Sequence, residues 1–155
     1  LWSRGLGDVY KRQTVNLPGH TYLPEEYVPE ADERVLWYRK IASAATVGAV
    51  EDIYEDMTAK RPDMPQAAKN LFEKARIKAF ANEHHIKTVS VVAGKLVVEP
   101  IDIPRDKMTP LRRAGGRYLA DKRKLQLPLK YFRLTEKDNL FTPVAKFLKE
   151  MHGEE

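Results

Sequence analysis

Four groups of residues in this 155-residue chain have types and spacings that could do chemistry. Glu51/Glu55 and Asp52/Asp56 are carboxylate pairs one helical turn apart. Such pairs perform general acid–base work when their surroundings split their pKa values. Nothing in the neighbouring sequence predicts burial of either pair, so they read as a solvated or partner-binding acidic face rather than as catalysts. Glu83-His84-His85 offers metal-type ligands. Adjacent residues point to different helix faces, however, unlike the two ligands of His-Glu-x-x-His, which share one face. The run reads as a helix C-terminus, where an imidazolium meets the negative end of the dipole. Lys122-Arg123-Lys124, with Arg117 and Tyr118 nearby, could neutralise phosphates and stack a base, or simply form a charged, solvated turn. Gly115-Gly116 lacks the further glycines of a phosphate cradle, and neither nucleotide-binding fingerprint occurs. The chain holds no cysteine, which excludes disulfides, thiolate metal sites and cysteine nucleophiles together. No nucleophile–base pair stands at a recognisable spacing, so an enzyme is the least favoured class and no cofactor is expected.

Charge is distributed unevenly around these groups. The net charge is +5, which permits a polyanionic partner without requiring one. Residues 25–56 carry Glu25, Glu26, Glu30, Asp32, Glu33, Glu51, Asp52, Glu55 and Asp56 against Arg34, Arg39 and Lys40. Residues 105–130 carry nine lysines and arginines against Asp106 and Asp121. An acidic first third and a basic last third either attract each other or face different partners.

The elements that must position these residues follow from periodicity. Residues 1–13 have neither a helical nor a strand period and no apolar signal-peptide core. The chain begins with Leu rather than Met, and this leader is expected to be non-native or disordered, leaving residues 14–155 as one domain. Residues 14–17 suit a short strand. Residues 22–29, with Pro24 and Pro29, are expected to be extended. Residues 32–45 predict a helix with Val35, Tyr38, Ile41, Ala42 and Ala45 inward. Gly48 interrupts that pattern. Residues 50–60 predict a second helix, with Val50, Ile53, Tyr54 and Met57 inward. A third runs from Pro65 to about His84, burying Ala68, Leu71, Phe72, Ala75, Ala79 and Phe80. The period then changes. Hairpins are expected around Ala93-Gly94 and Asp121-Lys122, with a short helix over 107–114 ending at Gly115-Gly116. Residues 131–134 could extend the sheet. Thr142 and Pro143 are expected as N-cap and first residue of a closing helix with Val144, Phe147, Leu148 and Met151 inward. The predicted class is α+β: N-terminal helices, then a small antiparallel β-sheet, then a closing C-terminal helix. No run is long and apolar enough to span a bilayer, and a cytoplasmic location is expected.

Three ordered segments carry a resemblance. Leu23-Pro24-Glu25-Glu26-Tyr27-Val28-Pro29 leads into Tyr38-Arg39-Lys40-Ile41-Ala42-Ser43-Ala44. Pro65-Gln66-Ala67-Ala68-Lys69-Asn70-Leu71-Phe72 continues to Ala75-Arg76-Ile77-Lys78, and His85-Ile86-Lys87-Thr88-Val89 follows. In this order and spacing they resemble the C-terminal domain of bacterial transcription-repair coupling factors (Mfd). The likeness runs from about residue 14 to residue 151 and is loose beyond Pro100.

The resemblance implies a non-catalytic regulatory domain of an ATP-driven translocase on double-stranded DNA. Such a protein releases stalled RNA polymerase and recruits the excision-repair protein UvrA. The domain would act as a clamp on the N-terminal UvrA-binding module of the same polypeptide, masking that module and restraining the motor. The family's charged contact lies on the second helix. Here Asp56 matches its first acid and Lys60 its basic residue, with Glu55 and Glu51 beside them. Ala59 stands for the family's second acid and Arg61-Pro62 for its aromatic-Gly pair. The rival reading is a stand-alone nucleic-acid-binding domain using Arg117, Lys122, Arg123 and Lys124.

Overall fold

The computed structural model describes residues 13–153. Strand β1 (Thr14–Asn16) is followed by three helices, α1 (Ala31–Ser43), α2 (Val47–Lys60) and α3 (Gln66–Glu83). Then come β2 (Thr88–Val92), β3 (Lys95–Glu99), α4 (Arg105–Arg113), β4 (Arg117–Leu119), β5 (Lys124–Pro128) and α5 (Phe141–Met151). The sheet order is β1-β2-β3-β5-β4. The fold is α+β, as the sequence implies, but the sheet is mixed rather than antiparallel. β1 pairs parallel with β2, Val15 opposite Val89, while the other neighbours are antiparallel. Such pairing needs a long crossover, and the three helices between the two strands supply it. The leader reading falls outside the described residues, apart from Gln13.

Helix α3 positions everything else because it is buried on two sides. Ile77, Phe80 and Ala81 join the sheet residues Val89, Leu96, Val98, Leu125 and Leu127, with Phe141, Val144, Phe147 and Leu148 from α5. Ala68, Phe72, Ala75 and Ala79 join a second core with Leu23, Tyr27, Val28, Trp37, Ile41, Val50 and Met57. A helix between two cores shows no single apolar stripe, which is why the sequence pattern assigns one face where there are two. Asn70, expected on no inward face, is buried there. Its amide donates to the His20 carbonyl at 3.2 Å and accepts from Gln66 at 2.8 Å.

Other local expectations are corrected. Helix α1 turns Trp37 and Ile41 inward and leaves Val35 and Leu36 exposed, so its inward stripe is rotated from the expected one. The indole is the larger apolar group and takes the core. Residues 22–29 are not simply extended: the Tyr27 and Val28 amides both donate to the Pro24 carbonyl at 3.0 Å, closing a turn. Gly48 lies inside α2, which Thr46 caps by accepting from the Ala49 amide at 3.1 Å. Residues 131–134 do not extend the sheet: Leu129–Phe132 form a 3₁₀ turn and Arg133 is left-handed. Helix α5 begins at Phe141, whose amide donates to Asn139 Oδ1 at 3.1 Å. Thr142 is therefore not the N-cap, and Pro143 occupies the third helical position, where its missing N–H is still harmless. The two hairpin turns fall where expected, with Ala93 and Gly94 both at positive φ and Arg123 left-handed.

Candidate functional site

Helix α2 lies on the helical core through Val50 and Met57, and its opposite side carries the charges. Asp52, Glu55, Asp56 and Lys60 are exposed. Asp56 and Lys60 face each other across one turn at 3.6 Å, with side chains 46% and 60% exposed. A pair this open is worth a few tenths of a kcal/mol, about 0.3–0.5, to the helix. The Lys60 ammonium also stands 5.4 Å from the centre of the Trp37 ring, and Lys40 lies 4.8 Å from the same ring.

Glu51 does not belong to that open face. Its Oε1 accepts from Arg76 Nη2 at 2.7 Å, and Arg76 Nη1 donates to Glu73 at 2.6 Å. The guanidinium lies over the Tyr54 ring, 4.7 Å from its centre. Burial alone would lower the Arg76 pKa, but hydrogen bonds and charge from Glu51 and Glu73 outweigh it and raise it. Glu51 thus ties α2 to α3. The i,i+4 pairing of Glu51 with Glu55 could not show that tie.

Arg61, beyond the end of α2, faces inward. It meets the Glu33 carboxylate with Nη2 at 2.9 and 3.0 Å, and Nη1 donates to the Tyr27 carbonyl at 2.9 Å. Trp37 Nε1 donates to Glu33 at 3.1 Å. The Trp37 and Arg61 hydrogen bonds hold the Glu33 carboxyl below the usual carboxylate range. Burial raises the Tyr27 phenol.

Two of the four basic residues of this hairpin are paired with acids from the end of β3 and the segment after it. Arg123 meets Asp102 with two bonds of 2.8 Å, and Lys124 lies 3.8 Å from Glu99. The Arg123 hydrogen bond lowers the Asp102 pKa. Tyr118 donates its hydroxyl to the Ile101 carbonyl at 2.6 Å and is half-buried, so it is not an open stacking ring. Arg117 and Lys122 remain exposed.

Glu83-His84-His85 does end α3: His84 is the C-cap and stacks with Phe80 and His152, each at 4.2 Å between ring centres. Glu83 accepts from the Val47 amide at 3.3 Å. Among the described residues no three His, Cys, Asp or Glu side chains gather as metal ligands. Nor does any helix among them have the length and apolarity to cross a membrane.

Fold and surface together define a small α+β domain that presents charge on the open face of a helix packed between neighbours. Residues 17–109, more than half of the chain, match the family model of the TRCF domain, and the chain belongs to that family. Curated relatives are transcription-repair-coupling factors. That of Mycobacterium tuberculosis (strain CDC 1551 / Oshkosh) is 25% identical over 118 residues, covering 74% of this chain and 10% of the relative. That of Escherichia coli (strain K12) is 30% identical over 83 residues, 53% of this chain and 7% of the relative. The chain thus spans about a tenth of the length of the relatives it matches. In fold it is similar to the crystal structure of a C-terminal domain of transcription-repair coupling factor. The TM-score is 0.61 at 16% identity, covering 92% of this chain and 98% of that one.

Proposed function

We propose that this chain is the regulatory clamp of a transcription-repair coupling factor. In this reading α2 grips the N-terminal UvrA-binding module of the same polypeptide, masks it and restrains the translocase. The observation that carries the reading is the open face of α2. Asp56 and Lys60, which the resemblance matches to the family's charged contact, are both solvent-exposed, and their own pairing and the Lys60–Trp37 contact are weak enough to leave both open to a partner. Glu55 stands beside them, whereas Glu51 serves the α2–α3 junction. The clamp is a population device. Contact with α2 favours a closed state, and weakening it shifts the population toward an open state that binds UvrA. RNA polymerase and double-stranded DNA are engaged by the rest of the polypeptide, not by this domain. The domain itself performs no chemistry.

The test is a titration of this chain with the isolated N-terminal module of its polypeptide at low ionic strength. Binding that Asp56→Arg weakens about tenfold or more supports the clamp. No binding, or binding indifferent to Asp56→Arg, overturns the assignment of this face.

A further inference from the structure

We infer that the groove between the C-terminal end of α1 and the adjoining face of α3 is a docking site for an acidic peptide segment with an apolar anchor. The groove encloses about 900 Å³. Ile41, Leu71 and Ala75 give it an apolar floor, and Lys74, Lys78 and Lys87 stand along its sides. No Asp or Glu lines it among the described residues. Among the described residues, none lies within ion-pairing distance of Lys74 or Lys87.

The wall opposite the lysines decides between anionic partners. Residues 42–45 line it, including the last turn of α1. The final carbonyls of a helix lack intrahelical partners and carry the negative end of its dipole. Of this stretch, the Ala45 carbonyl accepts from Asn82 at 3.0 Å. A nucleic-acid backbone brings phosphate oxygens to both walls and is repelled by the carbonyls. A peptide brings carboxylates for the lysines and backbone N–H groups for the carbonyls, and its apolar side chains fit the floor. Neither Asp56 nor Lys60 lines the groove, so this contact is separate from the α2 face and stands without it.

A random peptide library displayed on phage tests the inference. It is selected on the full chain and counter-selected on the double variant Lys74→Glu/Lys87→Glu. The expected winners are rich in Asp and Glu around at least one large apolar residue. When synthesised, they should lose about tenfold or more in affinity for the double variant, and less for Lys74→Gln/Lys87→Gln. A thermal melt of each variant confirms that it is folded. Winners with no excess of acidic residues overturn the inference, as does equal binding to wild type and double variant. A labelled random-sequence DNA duplex that binds wild type more tightly than the winners, and fails on the double variant, would also overturn it, making the groove a nucleic-acid surface.

Discussion

Tyr27 and Arg61 hold each other in both directions. The Tyr27 hydroxyl donates to the Arg61 carbonyl at 2.6 Å, and the Arg61 guanidinium donates to the Tyr27 carbonyl at 2.9 Å. The exchange pins the turn before α1 to the end of α2 across 34 positions of sequence. Tyr27→Phe keeps the buried ring and removes one bond, so it should cost about 1 kcal/mol. Arg61→Ala should cost more, because it also releases Glu33. Urea unfolding of both variants checks the order, and an Arg61→Ala variant as stable as wild type would refute the tie.

The same cluster sets an acid response. Trp37 and Arg61 lower the Glu33 pKa in the folded chain, against about 4.3 for an unperturbed glutamate. A depressed carboxyl contributes stability above its unfolded pKa and loses it as pH falls through the folded one. Asp102, lowered by Arg123, acts in the same sense. The melting temperature should therefore drop as pH falls below about 4.3, and Glu33→Gln should flatten part of that drop. Glu33→Gln should also melt below wild type at neutral pH. Parallel pH profiles for the two proteins would count against the assignment.

Two glycines should respond oppositely to alanine. A Cβ on Gly48, within α2, meets nothing within 4 Å. Gly48→Ala should stabilise by about 0.5 kcal/mol, chiefly by restricting the unfolded chain. A Cβ on Gly116 would lie 2.7 Å from the Leu111 carbonyl oxygen and 3.0 Å from Leu127. Gly116 also closes α4: its amide reaches the Leu111 carbonyl at 2.8 Å while Gly115 reaches Arg112 at 3.0 Å, a Schellman arrangement. Gly116→Ala should destabilise by about 1–3 kcal/mol. Thermal melts of the two variants moving in the same direction would be inconsistent with this geometry.

What the sequence reveals and hides has a physical pattern here. Hairpins, the α4 stop and the α5 stripe are legible because local turn chemistry and a one-sided apolar period set them. The orientation of α1 is not, because Val35 and Leu36 are as apolar as the residues that are buried, and only tertiary contact selects Trp37. The parallel β1–β2 pairing joins residues 74 positions apart, such as Val15 and Val89, and leaves no local trace. In the candidate site, the exposure of Asp56 and Lys60 follows from helical spacing. The separate fates of Glu51, Arg123 and Lys124 depend on Arg76, Asp102 and Glu99, which no sequence spacing ties to them.

Internal pairing of Arg123 and Lys124 bears on nucleic-acid binding. With those cations occupied, the hairpin should hold duplex DNA only at the non-specific level, with Kd of about 10⁻⁴–10⁻⁶ M and a steep salt dependence. Arg117→Glu/Lys122→Glu should weaken even this. Fluorescence anisotropy with a random-sequence duplex measures it. Nanomolar binding that falls steeply with salt and is lost in Arg117→Glu/Lys122→Glu would favour the stand-alone nucleic-acid reading instead.

The Asp56–Lys60 pair allows its local role to be separated from a role in recognition. The charge swap Asp56→Lys/Lys60→Asp keeps opposite charges one turn apart, so the helix retains most of the interaction. The reversed order is less favourable to the dipole, and the Lys60 ammonium leaves the Trp37 ring, 5.4 Å away. At an exposed site these losses should total less than about 1 kcal/mol. What the swap does invert is the pattern shown to a partner. If α2 grips the N-terminal module through these charges, the swapped chain should bind it about tenfold or more weakly while melting within a few degrees of wild type. Equal binding by the swapped and wild-type chains would leave the pair with a local role alone.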